Sequence, residues 1–71
     1  MLVKYCYITV LFKDGSSKFL QIEMKPHENG VYGEVTKEEV EKIANSLGEI
    51  LHLSVEDFTW TTRFSHPNTL Q

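Results

Sequence analysis

The chain has 71 residues, 41% of them hydrophobic and 24% charged, with a formal net charge of −3, the composition of one ordinary globular domain. Cys6 is the single cysteine, which excludes an internal disulfide and any metal cluster built on two or more thiolates. Net acidity argues against general phosphate binding, and the longest apolar run falls far short of the ~20 residues that span a bilayer.

Residues 3–12, Val-Lys-Tyr-Cys-Tyr-Ile-Thr-Val-Leu-Phe, are dense in β-branched and aromatic types without Gly or Pro and predict a first strand. Residues 18–25 alternate and predict a second, with Leu20, Ile22 and Met24 to one side and Phe19, Gln21 and Glu23 to the other. Lys13-Asp14-Gly15-Ser16 between them signals a hairpin. Parity selects its register. A two-residue Asp14-Gly15 turn would put Gln21 and Glu23 on the face of Ile8 and Cys6, whereas a three-residue loop with a left-handed Gly15 bulge pairs Ile8 with Leu20 and Cys6 with Ile22. Core then meets core, so the second register is expected.

Residues 26–35 begin with a proline that ends the second strand and contain an Asn29-Gly30 turn signal, so they read as a loop with a small turn-back. Thr36-Lys37-Glu38-Glu39 then spells a capping box, with Val35 and Val40 at the positions of a hydrophobic staple. The helix that follows buries Val40, Ile43, Ala44 and Leu47 and turns Glu38, Glu41, Lys42 and Asn45 outward. Two endings are compatible with the pattern: Gly48 as a C-terminal cap, or continuation along the Leu51 stripe to about His52 at a cost of roughly 1 kcal/mol for an interior glycine.

Residues 58–64 alternate Phe58, Trp60 and Phe64 against Thr59, Thr61 and Arg63, a third strand. Residues 65–71 contain His66-Pro67-Asn68 and no apolar pattern, which predicts a mobile tail and leaves 1–64 as the domain. No internal repeat or low-complexity segment interrupts this order. The expected fold is two-layer α+β, β-β-α-β, an antiparallel three-stranded sheet with one helix packed on one face.

Size limits what such a fold can hold. Area scaling gives about 4500 Å² exposed when folded and about 11900 Å² unfolded, so burial contributes on the order of 110 kcal/mol against ~107 for ordering the chain. The terms cancel, and with no disulfide a partner subunit is the remaining source of stability. A homodimer is expected.

One helix roofs one sheet face. The other would carry Val3, Tyr5, Tyr7, Thr9, Leu11, Phe19 and Arg63, too apolar for an ordinary wet surface. Aromatics with polar ends beside an arginine match the composition of protein interfaces, so Val3, Tyr5, Tyr7, Leu11, Phe19 and Arg63 are the candidate interface. The expected function is a non-enzymatic protein–protein interaction module that self-associates through this face or an adjoining edge. Ordinary cross-strand pairing shielded by residues 26–35 would account for the same rings without any partner.

Other chemistries find less support. Tyr5 and Tyr7 could stack single-stranded bases, but the chain has no arginine cluster and no basic aromatic motif. Residues 34–57 carry seven acids and two lysines, so a negative helix could instead occupy a basic groove of another protein; its charge density is modest. The four lysines of the first 25 residues outweigh Asp14 and Glu23 there without forming a basic surface. His27, His52 and His66 match no zinc spacing, no metal or cofactor is expected, and Cys6 reads as a buried hydrophobe. Two layers leave little room for a pocket of ~300 Å³ or more, so no enzyme activity is expected. A cytoplasmic setting completes the expectation, with no membrane partner and nucleic acid disfavoured. Accessory proteins of bacteria and their phages often have this size.

Overall fold

The computed structural model describes residues 2–67. Its elements are β1 (Val3–Phe12), β2 (Ser17–Glu23), α1 (Lys37–Leu51) and β3 (Val55–Ser65). The strands form one antiparallel sheet in the order β2-β1-β3, and α1 packs on one of its faces. This is the expected α+β arrangement. The strand densest in β-branched and aromatic residues takes the centre, where Cys6, Ile8, Val10 and Phe12 meet Val40 and Ala44 of the helix in the core.

The hairpin register follows the burial argument. Ile8 pairs with Leu20 and Cys6 with Ile22. The loop is three residues long: the Phe12 amide donates to the Ser16 carbonyl at 2.8 Å, and the Gly15 amide donates to the Phe12 carbonyl at 3.0 Å. Gly15 sits at φ 90, where a side chain would be strained. Asp14 braces the turn by accepting from the Ser16 amide at 2.9 Å and from the Ser16 hydroxyl, which holds its carboxyl below the usual range.

Residues 24–36 fold back on themselves, with the His27 amide donating to the Val31 carbonyl at 2.9 Å and Gly30 at φ 80. The capping box forms: the Glu39 amide donates to Thr36 Oγ1 at 3.2 Å, and the Thr36 amide donates to Glu39 Oε1 at 3.3 Å. Of the two helix endings the longer one occurs. Gly48 lies buried inside the helix, and His52 at φ 58 is the cap. The reason is a close approach. The Leu53 amide donates to the Gly48 carbonyl at 2.9 Å, and a Cβ on Gly48 would lie 2.7 Å from the Leu53 carbonyl oxygen, so only glycine admits the chain there.

β3 is longer than the alternation suggested, running from Val55, opposite Phe12, to Ser65, opposite Val3, with an irregularity between Leu11 and Phe12. Ser65 therefore belongs to the sheet rather than to the expected tail, of which residues 68–71 lie outside the described residues.

The helix does not sit centrally. Its backbone approaches β3 and β1 and, among the described residues, comes close to no residue of β2. A helix is about 10 Å wide and strands lie ~4.8 Å apart, so one helix covers two strands of three. The connection through residues 52–54 is short and ties the helix end to β3, which decides that the strand left out is β2.

Candidate functional site

The face opposite the helix is assembled as the parity argument places it. β1 contributes Val3, Tyr5, Tyr7, Thr9 and Leu11, β2 adds Phe19, and β3 adds Arg63. Because β3 lies beside β1, the Arg63 guanidinium stands over the Tyr7 ring at 4.6 Å, and Tyr7 in turn meets Phe19 at 6.0 Å between ring centroids. These contacts run diagonally across the register, within reach of aromatic and long side chains. The result is a cation–ring–ring row across all three strands.

Accessibility divides the candidates. Phe19 is 65% exposed and Leu11 40% exposed, Arg63 is exposed, and Tyr7 and Val3 are half-buried. Tyr5, expected on the accessible surface, is buried at 5%. It stands on the central strand between its register partners Glu23 and Arg63, with Tyr7 at 6.2 Å along the strand, so it supports the face from within. Gln21, Glu23, Thr59 and Thr61 share this side and are exposed, which confines the apolar part to a band through Leu11, Tyr7 and Phe19.

Sequence reasoning missed a second apolar strip on the helix side. Leu20 and Ile22 of β2 lie to the side of α1, with Leu20 half-buried against the core, and across from Leu20 the helix offers Ile43, Leu47 and Ile50, the last 74% exposed. The space between is an open cleft of about 370 Å³ bordered by Leu20, Ile43, Leu47 and Ile50. A further cleft of about 400 Å³ continues beyond Ile43, past Ile22, Met24 and Val35 to Cys6. Both exceed the space expected of so small a domain. The signal was available: Ile50 falls seven residues after Ile43 on the flank of the stripe, and the helix is too narrow for three strands.

The groups that could carry chemistry are dispersed. Cys6 is buried among apolar neighbours, and desolvation, followed by the nearby Glu39 carboxylate, pushes its thiol above the ordinary range, away from a reactive thiolate. His52 caps the helix through its backbone and has an exposed side chain, and His27 packs its ring against Gly33. Among the described residues no three His, Cys, Asp or Glu side chains are grouped to hold a metal ion, and no helix is long and apolar enough to cross a membrane. Lys4 lies 6.0 Å from the Tyr32 ring and 5.7 Å from the Phe64 ring, so one of the few cations is engaged within the fold. Comparison with family models, curated proteins and solved structures finds no match for this chain.

Proposed function

We propose that the chain is a small, cytoplasmic, non-enzymatic interaction module that associates with a second copy of itself, with Tyr7, Leu11, Phe19 and Arg63 of the uncovered sheet face in the joint. One observation carries the reading. The molecule exposes 5479 Å², while a compact monomer of its mass exposes about 4500 Å². The difference, about 1000 Å², is of the order that each partner contributes to a standard protein interface, ~800 Å². The shape explains the surplus. Two layers give a slab with extents of 40 × 31 × 17 Å, and both of its broad sides carry exposed apolar side chains.

The mechanism is steric: the module bridges or occupies a surface, and no bond is made or broken. Base stacking draws less support, because Tyr5 is buried and the Arg63 guanidinium already stands over Tyr7. Light scattering on the purified chain at micromolar concentration tests the proposal, with twice 8.2 kDa expected. Phe19→Ser removes the most exposed ring of the face and is expected to weaken the dimer at least about tenfold while leaving the far-ultraviolet spectrum unchanged. A wild-type mass of 8.2 kDa throughout would sink the proposal.

A further inference from the structure

Resting on the self-association in that reading but moving its joint from the face to an edge, we infer that the second copy joins along the edge of β2, so that two molecules share one continuous six-stranded antiparallel sheet in which β2 pairs with β2; Phe19 stays in the joint, while Tyr7 and Leu11 of β1 and Arg63 of β3 lie outside it. The backbone supplies the first argument. The Phe12 amide donates to Ser16 and the Met24 amide to Lys4, so residues of even number in β1 and β2 exchange their ladder bonds with each other. The amides and carbonyls of Ser17, Phe19, Gln21 and Glu23 therefore point away from β1, along an edge to which, among the described residues, the sheet brings no further strand. An edge of this kind is a template for an extended strand.

Side chains supply the second argument. β2 carries exposed apolar groups on both sides of its edge, Phe19 on the uncovered face and Ile22 beside half-buried Leu20 on the helix side. The cleft flanking α1 opens along the same strand. β2 is thus the element that the two apolar surfaces have in common. The opposite edge differs. β3 exposes Thr59, Thr61, Glu56 and Asp57, and its pairing with β1 is broken by an irregularity, both of which blunt an edge. β2 has no proline and no bulge, and a single lysine, Lys18.

Symmetry supplies the third. A two-fold axis perpendicular to the sheet keeps both helices on one side and requires outward residues to face outward residues. Centring it on Leu20 sets Phe19 opposite Gln21 of the second copy and Ser17 opposite Glu23, so every outward residue of the strand finds a partner. Leu20 then meets its own copy on the helix side, and no like charges stand opposite each other.

Proline scanning on the full-length chain, read by light scattering, separates an edge joint from a face joint. Gln21→Pro deletes an outward amide without touching the intramolecular ladder, a placement that edge strands tolerate. It is expected to leave the circular dichroism intact and weaken the dimer about a hundredfold. Thr62→Pro, whose amide points outward on β3, is the control and should leave the dimer in place. Amide hydrogen exchange on the unmodified chain gives a reading that no variant can spoil: Phe19 and Gln21 should be protected in the dimer and lose protection on dilution. A dimer in which these amides exchange freely, or which survives Gln21→Pro, or which Thr62→Pro dissociates, would overturn the edge joint while leaving self-association standing. A monomer at all concentrations would remove both readings together.

Discussion

β1 and β2 are neighbours in one hairpin and draw on similar residues, yet they meet opposite fates. Ile8, Val10 and Phe12 of β1 are fully buried, while no residue of β2 is, Leu20 being half-buried and Ile22 still 36% exposed. Composition does not separate them, since Phe19, Leu20 and Ile22 are as apolar as their partners Thr9, Ile8 and Cys6. Position does. The helix is tied to β3 by a short connection and lies over β3 and β1, so burial stops one strand short. The comparison shows that alternation in a strand records which face a side chain takes. Whether anything covers that face is a separate property, fixed by the width and tether of the layer above.

Truncation should expose this difference most directly. Phe12→Ala empties a fully buried site and is expected to cost about 3–5 kcal/mol. That rivals the whole stability of a domain this size, roughly 4–10 kcal/mol at the usual value per residue, so the variant should be largely unfolded. Ile22→Ala sits on the same face one strand away and should cost under about 1 kcal/mol in dilute solution, where association is not populated. Urea unfolding compares the two. Equal costs would mean that the β2 side is packed after all, and the contrast between the regions would fail.

Much of the β1 half was legible in the sequence because its rules are local. The capping box at Thr36 and Glu39, the Gly15 loop and the parity that sets Ile8 against Leu20 each depend on residues a few positions apart or on one shared loop. The diagonal from Arg63 to Phe19 needed only one further fact, the place of β3 beside β1. What stayed hidden was non-local. No pattern in residues 18–25 says that the helix lies to one side of them, and no pattern around Tyr5 shows that its ring is buried on the candidate face. The helix ending was open for the same reason, since Gly48 is required by a carbonyl five residues later and not by the turn it sits in.

That glycine offers a smaller test of the same contrast, because it fixes the tether holding α1 over β3. Helix propensity alone would make Gly48→Ala stabilising by about 1 kcal/mol. The added Cβ, however, would lie 2.7 Å from the Leu53 carbonyl oxygen and 3.2 Å from Val55 Cγ2. The first of these is backbone in a bonded turn and has nowhere to move cheaply. A net loss of about 1–2 kcal/mol is expected, seen as a lowered melting temperature. A raised melting temperature would show the helix end to be loosely held, and the off-centre placement of α1 would need another cause.

The finest probe lies on the border between the two regions. Cys6 belongs to the buried core yet lines the cleft that opens beside Ile22 and Met24, with the Glu39 carboxylate near enough to disfavour a thiolate. Glu39→Gln removes that charge and retains the side chain's ability to complete the capping box, so helix stability should hardly change. The thiol should then ionise more readily, and alkylation by iodoacetamide at fixed pH should quicken. Desolvation, the larger influence, remains in both proteins and keeps reaction slow beside that of the unfolded chain. The raised thiol also fixes a sign. Because the folded state holds this proton after the unfolded chain has released it, its contribution to stability is complete at neutral pH and is lost as pH climbs through the folded thiol's ionisation. Unfolding measured at neutral and alkaline pH should therefore show a decline that Cys6→Ala abolishes. Alkylation as fast as in the unfolded chain would mean that the cleft admits water down to β1, and that the covered region is narrower than the two strands assigned to it.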